Sequence, residues 1–480
     1  MRTILNESIV FAVLVIFNET LFAQSPDTLW TKTYGIGSGN SVQQTNDGGY
    51  IITGFTYLQD SRDLWLIKTN GNGDTLWTKT FDNGDYESGF SVHQTTDNGY
   101  ITTGSAGGDL WLIKSDDQGK TLWIKTYGGD NSDTGTDVQE TNDVGYIIVG
   151  STKSFGNLSQ VWLIKTDTNG DTIWTKTFGG VSTDHGHSVQ QTTDGGYFIV
   201  GSTASLMPNN NVYLSDGFII KTDVNGDTMW TRTFGAHNNL SEYGTLGQET
   251  SDGGYIISGV SQNFFPLSQR SHMLLIKTNI NGDTLWTRTF GDSTLNLVVN
   301  SVLQTSDKGY MLIGNELTFN FDIAPTLHDV WLFKTNAKGE TQWEKALGGD
   351  VGNSIQQTSD GGYIATGSIN DYLWLFKLAP DVTSINHNSN ISINTYYLGQ
   401  NYPNPFNPST NIEFTLPKPE YVELKIYNIL GKEVSTLVSK KLNQGNHTYN
   451  LDGRLLASGV YFYRIDAGEF QDVKKMILIK

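Results

Sequence analysis

Ser41-Val-Gln-Gln-Thr-Asn-Asp-Gly-Gly-Tyr-Ile-Ile-Thr-Gly54, then Asp63-Leu-Trp-Leu-Ile-Lys68, then Asp74-Thr-Leu-Trp-Thr-Lys-Thr-Phe81 form one period of a pattern that returns along most of the chain. The Trp of the third phrase recurs at Trp30, Trp77, Trp123, Trp174, Trp230, Trp286 and Trp343. The Tyr of the first recurs at Tyr50, Tyr100, Tyr146, Tyr197, Tyr255, Tyr310 and Tyr363, and the Lys of the second at Lys68, Lys114, Lys165, Lys221, Lys277, Lys334 and Lys377. Internal repetition at this period marks a repeat architecture. Each unit reads as four short strands, which we call a (Ser-Val-Gln-Gln-Thr), b (Tyr-Ile-Ile-x-Gly), c (Leu-Trp-Leu-Ile-Lys) and d (Thr-Leu-Trp-Thr-Lys-Thr), with Gly-rich turns between them. No segment has a helical period.

Strands b and c are nearly continuous apolar runs, which predicts sheets covered on both faces. Four-stranded sheets stacked around an axis satisfy that requirement. The expected fold is all-β: a seven-bladed β-propeller over 24–379. The chain enters the pattern with a lone strand d at Asp27–Gly35 and leaves it after strand c at Lys377, so the N-terminal strand is expected to complete the last blade and remove two sheet edges.

From each strand c Lys to the next strand d Trp is nine residues in all six cases. Turns such as Asp167-Thr-Asn169-Gly-Asp171 account for this, because Asn-Gly centres a tight hairpin. The a–b turn is equally regular, as in Thr192, Asp194, Gly196 and Tyr197, with Asp expected to bond its own backbone and Gly to take a left-handed conformation. Spacing from strand b Tyr to strand c Lys instead ranges from 14 to 24. Variation therefore gathers on the face that carries the b–c and d–a connections. The long segments Ser202–Ser215, Val260–Ser271, Asn315–His328 and Gly235–Thr245 make a three-blade wall. Variable loops on a rigid scaffold are where binding residues concentrate, so Tyr213, Asp216, His237, Tyr243, Phe264, Phe265, Arg270, His272 and Phe319 are the candidate ligand-binding residues.

Other motifs read as architecture. Asp167–Asp171 resembles the start of a calcium loop but lacks the closing Glu, and turn chemistry explains it. Asp184-His185-Gly-His187 sets two imidazoles on one side of an extended segment with no third ligand in sight, so a surface pair is expected and no metal. A Gln or Glu lies six residues before each Tyr (Gln44, Gln94, Glu140, Gln191, Glu249, Gln304, Gln357); bonding backbone groups between blades is its expected role. Glu140 and Glu249 break the amide series and are candidate paired carboxylates for glycoside hydrolysis, though no catalysis is expected of them. No nucleophile elbow, metalloprotease helix or phosphate loop is present, and no cofactor or catalytic residue is assigned.

The 480 residues contain no Cys, which excludes disulfides, thiolate metal sites and thiol nucleophiles. The net charge is −18, with 20 basic against 39 acidic residues in 24–398, and argues against nucleic acid as a partner. The opening segment 1–23 has Arg2, an apolar run Ile9–Phe17 and Ala23. It reads as a secretory signal peptide, too short to span a bilayer, and no membrane span is expected elsewhere.

After a polar linker (380–398, Asn-rich over Ser384–Asn394) the composition changes. Residues 399–480 carry 10 basic and 8 acidic side chains, with candidate strands at Asn411–Leu416, Tyr421–Asn428, Glu433–Val438, Asn446–Leu451, Gly459–Asp466 and Gln471–Ile479, a pattern suited to a small Ig-like β-sandwich. Here the phrases Asn401-Tyr-Pro403-Asn-Pro405-Phe406-Asn-Pro, Val422-Glu-Leu-Lys-Ile-Tyr-Asn-Ile-Leu-Gly431, Gly459-Val-Tyr461 and Lys475-Met-Ile-Leu-Ile-Lys480 occur in order. They resemble the type A C-terminal sorting domain of the type IX secretion system, and are similar to the Ig-like domain of flagellar hook-cap proteins. The resemblance implies passage across the outer membrane of a Bacteroidetes-like bacterium by the type IX machinery, then surface anchoring or release. The propeller resembles uncharacterised repeat propellers found beside such domains, which implies no activity. The reading is a secreted, monomeric, non-catalytic binding module for a glycan or surface protein. A glycan-degrading enzyme and a passive surface or adhesion component are the alternatives.

Overall fold

The computed structural model describes residues 25–58, 61–84, 86–156, 158–204, 215–234, 240–263, 270–291, 295–316, 329–381, 396–399, 401, 406, 409–429, 431–454, 456–468 and 470–478. The signal peptide expected at 1–23 and most of the linker lie outside them. The described residues hold strands and turns and no helix. The chain divides into two compact units, Met1–Ser384 and Ile385–Lys480.

The first unit is built from repeated four-stranded antiparallel sheets, each in the order a-b-c-d, consistent with a propeller. A representative one comprises Asp133–Glu140, Tyr146–Thr152, Gln160–Thr166 and Thr172–Phe178. Strands b and c are buried at all but one residue each, as the apolar runs predict, while strand d alternates between half-buried and exposed residues. Each sheet thus packs both faces of its middle strands and leaves its outermost strand half wet.

The expected lone strand d is longer than its sequence phrase. One continuous strand, Thr28–Gln44, serves two sheets. Its first part pairs with strand c of the last repeat, from Thr28 opposite Leu378 to Ile36 opposite Tyr372. Its second part pairs with Tyr50–Leu58. The neighbouring Ala379 N–H donates to Asp27 O at 2.9 Å, and Lys345 donates to Pro26 O at 2.6 Å.

Strand a carries one extra residue in every repeat, a β-bulge at Asn40, Phe90, Thr136, His187, Thr245, Asn300 and Asn353. A bulge strengthens twist and re-aims its side chain. These seven residues line a common cavity.

The second unit has two antiparallel sheets, one of Tyr397–Leu398, Ser409–Leu416 and Gly445–Asp452, the other of Glu433–Leu442, Glu420–Asn428, Gly459–Ala467 and Phe470–Leu478. One core between them contains Ile412, Phe414, Val422, Leu424, Ile426, Tyr463, Ile465 and Met476.

Candidate functional site

Three sets of side chains fasten each repeat internally or to its neighbour, and each consumes residues that chemistry would otherwise need. The a–b turn is the first. Asp143 accepts from the Gly145 N–H and the Thr141 hydroxyl, and its carboxylate lies 3.0 Å from Lys165 Nζ. Lys165 is buried and also donates to Thr166 O. The same Asp–Lys pair recurs in all seven repeats, from Asp47–Lys68 to Asp360–Lys377. At Asp47, Asp252 and Asp360 burial pushes the carboxyl up. The hydrogen bonds from lysine, threonine and the glycine N–H, with the lysine charge, outweigh it and hold the pKa at about 2.

The glycine of this turn differs from expectation. The left-handed residue is the one before the invariant Gly: Gly48, Gly195, Gly253 and Gly361, but also Asn98, Val144 and Lys308. The invariant Gly is required by close approach. At Gly145 a Cβ would lie 2.2 Å from Thr166 O and 2.6 Å from Lys165 Nζ.

The second set is the Gln/Glu series. Gln94 accepts from the Asn46 N–H, Glu140 from Thr96, Gln191 from Asn142, Glu249 from Thr193, Gln304 from Ser251, Gln357 from Ser306 and Gln44 from Ser359, all at 2.8–2.9 Å. Glu140 and Glu249 each add a bond from the threonine hydroxyl of the same partner. Both carboxylates are committed to the join between neighbouring repeats.

Third, each strand d Trp packs against the next repeat. Trp123 meets Tyr146 with ring centroids 6.0 Å apart and lies against Gly170 in the Asn-Gly turn. Asp167 in that turn accepts from the Asn169 and Asp171 N–H groups, and Asp171 pairs with Lys125 at 2.7 Å. Turn formation and inter-repeat bonding use the donors and carboxylates that suggested a calcium loop.

The opposite face carries the longer connections, joined by backbone bonds such as Asp184 N–H to Ser159 O. Of the nine candidate ligand residues, Tyr213, His237, Phe264, Phe265 and Phe319 lie outside the described residues. The four others all sit on strands, Tyr243 and Arg270 where loops were expected, and Asp216 opens the strand Asp216–Thr222. Tyr243 belongs to Leu240–Glu249, and Arg270 and His272 to Arg270–Thr278. Val260–Asn263 pairs with Arg270–Met273, extending the hairpin and satisfying backbone groups that a loop would leave to water. Tyr243 is half-buried against the core that holds Val299 and Phe290, and burial raises its hydroxyl pKa. His272 is half-buried and Asp216 is buried. On the same face Asp63, Asp82 and Glu87 bring carboxylate oxygens within 4.8 Å of one another.

The cavity lined by strand a has a volume of about 470 Å³. Rings of Asn, Ser and Gln side chains line it, interrupted by His93, Asp137 and His187. Sequence reading placed His187 on the surface; the bulge turns it inward instead. His93 and Asp137 escaped notice because each sits inside a repeated phrase as a single departure.

In the second unit the motif residues are structural. Asn401 is buried, takes the Tyr463 hydroxyl oxygen on its N–H at 2.7 Å and donates its side chain to Thr410 at 3.0 Å. Phe406 is buried, and its N–H donates to Ile477 O. Gly431 takes a left-handed conformation (φ 73°) in the turn closed by its N–H to Asn428 O. Tyr461, two residues after Gly459, donates its hydroxyl to Ala457 O. Lys475 is exposed on the last strand. Pro403, Pro405 and Lys480 lie outside the described residues.

Residues 400–480 match the family model described as the secretion system C-terminal sorting domain. The C-terminal unit is a type IX secretion sorting domain. The sorting domain marks the chain for export to the cell surface or extracellular space and implies engagement by the type IX machinery. No curated protein matches the chain. Among solved structures it is similar to PorZ, an essential surface component of the type IX secretion system of Porphyromonas gingivalis, at 10% identity and TM-score 0.44, covering 90% of this chain and 58% of that one. The chain therefore spans little more than half the length of PorZ. A Lactobacillus plantarum protein matches at 10% identity and TM-score 0.45 over 84% of this chain and 98% of its own. Drosophila Plexin A, solved in complex with Semaphorin 1b, matches at 7% and 0.43 over 74% and 88%.

Proposed function

We propose that this is a secreted binding protein: a seven-bladed propeller, closed by its N-terminal strand and delivered by a signal peptide and an Ig-like sorting domain, that acts as a monomeric, non-catalytic module for a glycan or surface protein. Closure is supported by the pairing of Thr28–Ile36 with Tyr372–Leu378 and by the Ser359–Gln44 bond, which repeats the joints between consecutive repeats. The Ig-like reading is supported by two sheets over one core. The observation that carries the function is the contrast between faces. Turn lengths are invariant where the Lys–Asp pair ties the a–b turn to its own sheet and where Gln and Trp join the repeats, and vary where no such joint constrains them. That freedom favours the wall of Tyr213, Asp216, His237, Tyr243, Phe264, Phe265, Arg270, His272 and Phe319 as the ligand face.

Glycan hydrolysis is the weaker reading, because Glu140 and Glu249 are engaged in backbone bonds. Screening the full chain against a glycan array and against surface proteins of the producing cell tests the proposal, with Phe264→Ala/Phe265→Ala as the variant. Saturable binding lost in that variant is the expected result. Polysaccharide turnover without stable binding would overturn it.

A further inference from the structure

We propose that the cavity lined by the strand a residues is a binding site for a small organic cation, an alkylammonium or guanidinium group held by the carboxylate of Asp137 with His93 and His187 beside it. This site is separate from the loop wall and stands on different observations.

The repeat itself supplies the control. Asp137 occupies the position held by Ser41, Ser91, Ser188, Ser301 and Ser354 in other repeats. There a serine hydroxyl already does the structural work: Ser41 accepts from Val92 N–H, Ser354 from Val42 N–H and Ser188 from Gly247 N–H, at 3.1–3.4 Å. Asp137 makes the equivalent bond to Val189 N–H at 3.0 Å, and also accepts from Ser91 Oγ at 2.7 Å and from its neighbour Val138 N–H. These bonds satisfy lone pairs but bring no Lys or Arg to the charge. The fold does not need a carboxylate here.

Every repeated turn aspartate has a lysine; Asp137 has none. No Lys or Arg is among the residues lining the cavity. His93 replaces the Gln found at 43, 139, 190, 248 and 356, and His187 stands at the bulge position, so the departures converge on one space. Burial pushes both imidazoles down, His187 to about 4, and pushes the Asp137 carboxyl up against the pull of His93 and its hydrogen bonds. Asp137 is half-buried in the cavity wall with no Lys or Arg among the lining residues, and a carboxylate held partly out of water without a full counter-charge is costly. An entering cation would remove that cost, drawn in by the acidic chain.

The cavity suits an organic cation better than a metal ion. Its volume lies within the range of small-molecule sites, and Phe90, Leu246 and Leu303 add apolar lining to the amides and hydroxyls. Among the described residues, the trio of carboxylate and imidazole ligands close enough to share an ion is Asp63, Asp82 and Glu87, which is elsewhere. Asp137 and the two histidines form no such trio.

The test is calorimetric titration of the full chain with methylguanidinium and butylammonium chlorides, against 1-butanol as the neutral control, in salt of about 150 mM to screen exposed acids. Saturable one-to-one binding of a cation and none of the alcohol is expected. Asp137→Ser, which restores the residue of the other repeats, should weaken the cation at least about tenfold, equivalent to about 1.4 kcal/mol. Asp137→Asn serves if the serine variant does not fold. NMR shifts of the His93 and His187 imidazoles on adding the cation report occupancy without any variant. Equal affinity in the variants, binding of the alcohol, or histidine resonances that ignore the cation would each overturn the proposal.

Discussion

Asp143→Asn should destabilise the propeller unit more than Lys165→Met, although the two side chains form one ion pair. The asymmetry comes from where each partner sits. The Lys165 side chain is 5% exposed and that of Asp143 is 61% exposed. Removing one partner from a fully buried pair costs about 3–5 kcal/mol, mostly the penalty of the stranded charge. Water reaches the aspartate side, and Asn keeps an oxygen for Thr141 and Gly145, so screening reduces the expected cost to about 2 kcal/mol. Lys165→Met keeps the buried stem and deletes the buried charge. The exposed Asp143 is then resolvated, and the loss is about 1 kcal/mol or less, that of the bond to the Thr166 carbonyl. Equilibrium urea unfolding measures both. The double variant should lie within about 0.5 kcal/mol of Lys165→Met alone, because neither residue then strands the other. If Lys165→Met proves the more damaging change, the argument from the stranded ammonium is wrong.

Deleting residues 25–35 should lower the melting temperature of the chain, because strand c of the last repeat loses its outer partner. Trp30 is only half-buried, so Trp30→Ala alone should fall below the roughly 3–5 kcal/mol of a core aromatic; an unchanged melt in the deletion would refute closure. Val144 holds a left-handed conformation (φ 66°) that costs a β-branched residue about 1–2 kcal/mol, so Val144→Gly should raise stability, net of its larger unfolded-state entropy, by about 1 kcal/mol in the same assay. The carboxyls of Asp47, Asp252 and Asp360 are depressed to about 2. Their contribution is therefore present above the ordinary carboxylate pKa and lost as pH falls through about 2. Melting curves from pH 5 to 2 should drop less steeply in the Asp→Asn triple variant than in the parent; parallel curves would exclude these carboxylates. Finally, a chain lacking 399–480 should accumulate in the periplasm of its native host with the propeller unit folded. Surface fractionation checks this, and normal arrival outside would remove the sorting role.

Much of this molecule is legible from pattern alone, because its repeats report the same physical requirement seven times over. The Trp and Tyr spacing and the unbroken apolar runs of b and c indicate sheets covered on both faces. The order of motifs from Asn401 to Lys475 indicates the sorting domain, whose motif residues Asn401, Phe406 and Gly431 turn out to be its internal joints. Even the role of the Gln/Glu series follows from its periodicity, since a buried backbone group must find a partner in every repeat.

What the pattern hides lies in contacts between segments distant in the chain. The invariant Gly of the a–b turn looks like a left-handed residue, but the carbonyl of strand c and the lysine ammonium exclude its Cβ. The lysine is buried because the turn aspartate and the carbonyl that follows it hold its ammonium, a contact between segments some twenty residues apart. The bulge in strand a adds no residue type that sequence could flag, yet it turns His187 inward beside His93 and Asp137. Sequence determined the strand order and the address of this protein, because local periodicity and ordered motifs are properties of the chain. The charge in its central cavity was decided only by tertiary structure, because three residues 44 and 50 positions apart line it together through the curvature of sheets that no single repeat contains.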